Sequence, residues 1–236
     1  MNGAVATGAK PAILNGIRAA IIDLDGTMLH TAPELHAAAN QMRAELGLAA
    51  VDLETITSYI GKGADDLVRR LLALDYSAEE AGARFASARA SYLGHYMAFN
   101  GRMSTPYPLV FEGLRAMQAK GVRLACVTNK PIAMALPLLE QTGLREFFEV
   151  VYGGDSLAKK KPDPLPMLQV CADFNVLPAQ VVAIGDSSND AQAARAAGCR
   201  ILNVPYGYNH GESIQAVDSD GIVNSLLEAA ELINND

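Results

Sequence analysis

Ala19-Ala20-Ile21-Ile22-Asp23-Leu24-Asp25-Gly26-Thr27 is an apolar run that stops on two carboxylates and then on Gly-Thr. A short, partly β-branched run bounded in this way reads as a buried strand ending at a polar loop. Asp23 and Asp25 are two residues apart, so on an extended chain their side chains leave the same face. Two like charges on one face repel, and a fold by itself does not require them there. A divalent cation, or a division of labour between a nucleophile and an acid, explains the pair. An Asp-Gly turn behind a core strand is the plain structural alternative.

Outward from this segment, strand-like runs recur at 123–128, 149–152, 181–185 and 200–204. Helical patterns fill 111–120, 132–142, 165–175 and 189–197, and three of them stop at Gly121, Gly143 and Gly198, each well placed to end a helix. This alternation predicts right-handed βαβ units and an α/β fold, a Rossmann-like doubly wound parallel sheet. The interval 31–105 breaks the pattern. It carries helical periodicity only, with Leu35, Ala38, Met42 and Leu46 as one stripe, Leu67, Arg70, Leu71 and Leu74 as a second, and 81–96 as a third helix. The expected organisation is a flexible N-terminus at 1–12, an α/β core made of 13–30 and 106–236, and an inserted all-helical cap domain at 31–105. The insertion follows the two carboxylates directly and is placed to cover them, with Pro106-Tyr107-Pro108 as the return hinge.

The chain has 236 residues, half of them apolar and 19% charged, which is a globular composition with enough length for a sizeable core. A formal net charge of −7 disfavours nucleic acid as a main ligand and favours small-molecule partners. Cys126, Cys171 and Cys199 are widely spaced without a C-x-x-C pattern and read as core residues of a reducing compartment. No signal-peptide core and no membrane-length apolar run is present, so a cytoplasmic protein without membrane contact is expected, a monomer or homodimer.

Three more polar clusters follow strand ends: Thr128-Asn129-Lys130, Lys159-Lys160-Lys161-Pro162 and Gly185-Asp186-Ser187-Ser188-Asn189-Asp190. Open parallel sheets bind ligands at the carboxyl ends of their strands, so acids, a hydroxyl and a lysine should converge on one rim. This ordered set, with a helical insertion after the first motif, resembles the haloacid dehalogenase superfamily over nearly the whole chain from about Ala19. In detail it is closest to the bacterial phosphoglycolate phosphatases, through Tyr59-Ile60-Gly61-Lys62-Gly63-Ala64, Val127-Thr128-Asn129-Lys130-Pro131, Ala197-Gly198-Cys199 and Tyr206-Gly207-Tyr208-Asn209.

The resemblance implies a Mg²⁺-dependent phosphomonoesterase acting on a small phosphorylated metabolite, 2-phosphoglycolate first among them, through an aspartyl-phosphate. It makes Asp23 the nucleophile and a metal ligand, and Asp25 the acid and base as well as a metal ligand through its backbone carbonyl. Asp186 completes the metal set, and Asp190 supports it from behind. Gly26, Thr128, Asn129 and Lys161 are implied as phosphate-binding, whereas Lys159 and Lys160 read as solvated neighbours. Lys62 in the cap is expected to meet a substrate carboxylate. The chain departs from many relatives at His30, where they carry Asp; His30, His36, His95 and His210 read as surface residues. Asp25 argues against a dehalogenase or phosphonatase. The alternatives are a phosphatase for another ester such as N-acetylmuramic acid 6-phosphate, a β-phosphoglucomutase-like phosphotransferase, or a phospho-Asp signalling module.

Overall fold

β1 (Ala19–Ile22) is buried at all four residues and lies in the middle of the molecule's main sheet. The computed structural model describes residues 12–235, so all but Ala12 of the stretch expected to be flexible lies outside the described residues. After β1 come β2 (Leu29–His30), α1 (Ala32–Glu45), α2 (Leu53–Thr57), α3 (Ala64–Leu72), α4 (Ala78–Phe99) and β3 (Thr105–Pro106). The chain then alternates through α5 (Val110–Ala119), β4 (Arg123–Val127), α6 (Ile132–Gln141), β5 (Val150–Tyr152), α7 (Leu165–Phe174), β6 (Val181–Gly185), α8 (Ser188–Ala197) and β7 (Arg200–Asn203). It closes with β8 (Gly221–Ile222) and α9 (Leu226–Leu232).

The main sheet has the order β5-β4-β1-β6-β7-β8, and every pairing in it is parallel. Alternate residues of each strand feed two separate cores, as a period of two requires. Ala20, Ile22, Leu124, Cys126, Val182 and Ile184 face α5, α6 and α9. Ala19, Ile21, Ala125, Val127, Val181 and Ala183 face α7 and α8. The order reverses around β1: the chain leaves it towards β4 and β5, then crosses to β6 on its other side. That reversal opens a crevice at the carboxyl ends of β1, β4 and β6.

β2 and β3 form a two-stranded antiparallel ribbon, with Leu29 opposite Pro106 and His30 opposite Thr105. The outgoing and returning chains are therefore tied together where the helical interval begins and ends. α1 to α4 pack on a third apolar cluster that includes Met42, Ile56, Leu71, Tyr92 and Tyr96, and Met134 and Tyr208 join it from the α/β part. α4 starts three residues before the expected helix because Ser77 and Glu80 cap it reciprocally, Glu80 N–H to Ser77 Oγ at 3.4 Å and Ser77 N–H to Glu80 Oε2 at 3.0 Å. Leu74, expected on an apolar stripe, lies beyond the end of α3 and is 47% exposed.

Candidate active site

The β1 ladder continues one residue past the strand, since Asp23 N–H donates to the Ile184 carbonyl at 3.0 Å. The chain then turns sharply, with the Met28 and Leu29 N–H groups both on the Leu24 carbonyl at 3.0 Å. The two carboxylates of the opening motif consequently meet different cations. Lys161 Nζ donates to Asp23 Oδ1 at 2.7 Å, and Lys130 Nζ donates to Asp25 Oδ1 at 2.6 Å. Both lysines are buried. The like-charge problem posed by the sequence is thus met in part by two lysines delivered from the loops after β5 and β4.

Lys161 also donates to Asp190 Oδ1 and to the Val127 carbonyl, each at 2.6 Å. Asp190, in the first turn of α8, takes a second bond from Ser187 Oγ at 2.7 Å. Asp186, directly after β6, accepts from Tyr208 N–H at 2.6 Å and from Thr27 Oγ1 at 3.4 Å. Gly26 makes that approach possible. At φ +81° it adopts a backbone conformation that side chains disfavour, and a Cβ there would collide with the Asp186 carboxylate and the Tyr208 ring.

Asp23, Asp186 and Asp190 each offer a carboxylate oxygen within 4.8 Å of the others, and all three are buried. Lys161 is the lysine bonded within this trio. Burial pushes the Asp23 carboxyl up to about 7, with Lys161 opposing the shift and Asp190 adding to it. Burial likewise drives Asp186 well above the carboxylate range, reinforced by Asp23 and Asp190. Burial works against the Lys161 charge, but Asp190 and Asp23 outweigh it and hold the ammonium protonated. With all three acids ionised, the single ammonium would leave a negative excess, and an all-oxygen donor set of this kind fits a hard divalent cation.

A small cavity of about 40 Å³ opens over this group. By the same measure a single water needs about 10–15 Å³, so the cavity holds only a few water-sized groups. Of the residues singled out in the sequence, Asp23, Asp25, Thr128, Asn129, Lys161 and Asp190 line it. Its other wall comes from the helical interval, chiefly Ile60, Leu67, Tyr92 and Tyr96. The turn between α2 and α3 is fastened to the α/β part from several sides. The Gly61 carbonyl accepts from Asn129 Nδ2 at 2.9 Å and Asn189 Nδ2 at 3.1 Å, and the Lys62 carbonyl accepts from Lys160 Nζ at 2.8 Å.

Four residues are placed differently from what the sequence suggested. Lys62 does not line the cavity: its side chain is exposed, and only its backbone takes part. Gly26 does not line it either and serves by making room for Asp186. Lys160 is no merely solvated neighbour, because its ammonium holds the loop of Lys62. His210 is half-buried rather than a surface residue, bonded to Asn189 at 3.2 Å, and burial together with nearby Lys62 lowers its pKa. His30 sits in the ribbon with Nδ1 3.1 Å from the Tyr208 hydroxyl, which also accepts the Thr31 and Ala32 N–H groups at the start of α1. Sequence reasoning assigned nothing to Lys130, Asn189 or Tyr208. Lys130 carried a usable signal, being a lysine inside a strand-end cluster; Asn189 and Tyr208 had none beyond membership of their motifs.

The family model of haloacid dehalogenase-like hydrolases matches residues 17–198. The phosphoglycolate phosphatase of Thiobacillus denitrificans is 51% identical over 217 residues, covering 92% of this chain and 96% of that protein. The phosphoglycolate phosphatase of Nitrosospira multiformis is equally similar, 51% identical with the same coverage of both chains. Among solved structures, a predicted phosphoglycolate phosphatase from Haemophilus somnus superposes with a TM-score of 0.86 at 31% identity, over 92% of this chain and 98% of that one. CbbY from Rhodobacter sphaeroides, solved in complex with phosphate, gives 0.76 at 26% identity over 90% and 96%.

Proposed function

The chain belongs to the haloacid dehalogenase-like hydrolases, and from that membership and the site's geometry we propose that it is a Mg²⁺-dependent phosphomonoesterase cleaving 2-phosphoglycolate to glycolate and phosphate. The observation that carries the chemistry is the pairing of Asp23 with Lys161 and of Asp25 with Lys130 in the lining of one small cavity. Phosphate monoesters hydrolyse extremely slowly unaided, and enzymes supply accelerations of up to roughly 10²¹. Positioning, charge neutralisation and proton transfer must therefore act together.

In this reading an Asp23 carboxylate oxygen attacks phosphorus and the bond from phosphorus to the ester oxygen breaks. Asp25 gives its proton to the departing oxygen, and an aspartyl-phosphate remains on Asp23. Asp25 then takes a proton from water as the water oxygen attacks phosphorus, and the bond to Asp23 breaks to release phosphate. Lys161 neutralises the phosphoryl oxygens, with the Thr128 hydroxyl and the Asn129 backbone N–H beside them. Asp23, Asp186 and the Asp25 carbonyl would hold the cation, which when bound supplies charge stabilisation at the phosphoryl group. Asp190, with one oxygen on Lys161 and the other on Ser187, fixes the lysine. The helical interval at 31–105 acts as the lid of the α/β core.

The test is phosphate release from a panel of small esters, with Mg²⁺ and with chelator. The reading expects 2-phosphoglycolate to give the highest kcat/KM and chelator to abolish turnover. A better substrate among the sugar phosphates, or turnover indifferent to chelator, would refute it.

A further inference from the structure

The two lysines of the cavity are in unequal situations. Lys161 Nζ has three acceptors, Asp23, Asp190 and the Val127 carbonyl, and so uses all three of its N–H bonds. Lys130 Nζ has, among the described residues, the single acceptor Asp25 Oδ1. Its side chain is only 2% exposed, it lines the cavity, and its ammonium lies 4.9 Å from the centre of the Tyr96 ring. A buried ammonium with unused donors is costly unless something else completes its bonding. The ring holds it in place, and the Tyr96 hydroxyl makes no hydrogen bond to it.

The position of Asp25 says what the missing acceptor is. If Asp25 delivers a proton to the ester oxygen, whatever is attached to that oxygen lies beside Asp25. In a phosphate ester of glycolate the carboxyl carbon is two bonds from the ester oxygen. Its own oxygens are then within about one hydrogen-bond length, ~3 Å, of that site. An ammonium 2.6 Å from Asp25 is within reach of them.

We propose that Lys130 binds the carboxylate of the substrate's leaving group while still bonded to Asp25, and is the residue that selects carboxylated esters. The inference rests on the phosphoglycolate phosphatase reading and deepens it, giving to Lys130 the task that the sequence suggested for Lys62. A leaving group without the carboxylate leaves the buried ammonium incompletely bonded. Sites built to bond a polar group reject analogues lacking it by factors on the order of 10⁴.

The experiment compares 2-phosphoglycolate with 2-hydroxyethyl phosphate, which replaces the carboxylate by an uncharged alcohol, in the Mg²⁺-loaded wild type, Lys130→Gln and Lys130→Met. Thermal melting establishes that each variant is folded; the methionine variant, which keeps the length of the stem, serves if glutamine is not tolerated. The wild type should prefer the carboxylated ester strongly. Either variant should lose that preference by about 30-fold or more, as for truncation of a buried charge pair. Loss of both activities by one common factor would overturn the proposal, reducing Lys130 to a residue that positions Asp25. An unchanged preference would overturn it as well. A wild type that does not favour the carboxylated ester would instead bring down the phosphoglycolate reading itself, before any variant is considered.

Discussion

Asp23 combines three properties that a carboxylate seldom has at once: it is buried, it touches a lysine, and it shares space with two further acids. Because burial raises its folded pKa from 3.8 to about 7, the sign of its effect on stability is fixed. In that window the unfolded chain has the group ionised while the metal-free folded protein keeps it protonated, so stability falls as pH rises. The penalty is absent below the unfolded value and complete above the folded one. Thermal melts in chelator should therefore show Asp23→Asn gaining on the wild type at pH 8 relative to pH 5, and added Mg²⁺ should stabilise the wild type more at pH 8. Equal differences at the two pH values would contradict this. Asp23, Asp25 and Asp186 stood out in the sequence because they follow directly on strand-like runs, and Lys161 only through the Lys-Pro pattern of the family it resembles. Lys130 stood in such a strand-end cluster too, but its place beside Tyr96, contributed by a distant helix, could not be read there.

Among the elements, the turn carrying Gly61 is the most informative, because its backbone and not its side chains makes the attachment. The Gly61 carbonyl lies on Asn129 and Asn189, φ is +111°, and a Cβ would come within 2.7 Å of His210 Cε1. Gly61→Ala should thus hold the turn away from the α/β part, so that only a fraction of molecules presents a closed cavity. KM for the best substrate should rise about tenfold or more, since apparent affinity scales with the competent fraction. The melting temperature should change little, because the turn sits at the rim and not in a core. Steady-state kinetics beside a thermal melt checks both, and an unaltered KM would show that closure does not need this contact. The long alternating elements were readable from period and glycine stops. The β2–β3 ribbon, α2 and α9 were not, since two to seven residues are too few to display a period.

For the whole molecule, the order β5-β4-β1-β6-β7-β8 brings the ends of β1, β4 and β6 side by side, although they fall at Ile22, Val127 and Gly185 in the chain. That convergence was foreseeable from alternation alone, because a doubly wound sheet places its ligands at such a reversal. Which side chains the helical interval would present was not. Its three longer helices could be read from sequence, but the docking of Tyr92, Tyr96 and Ile60 over the carboxylates depends on packing between distant segments. The central claim is that this convergence makes Asp23 a nucleophile. It is tested most directly by rapid acid quenching of the Mg²⁺-loaded enzyme during turnover of ³²P-labelled 2-phosphoglycolate, followed by peptide mapping. The account predicts acid-stable, hydroxylamine-labile label on the peptide containing Asp23, and kcat lower by a factor on the order of 10⁴ or more in Asp23→Asn. Label confined to another residue, or an Asp23→Asn enzyme that turns over at a near-normal rate, would contradict it.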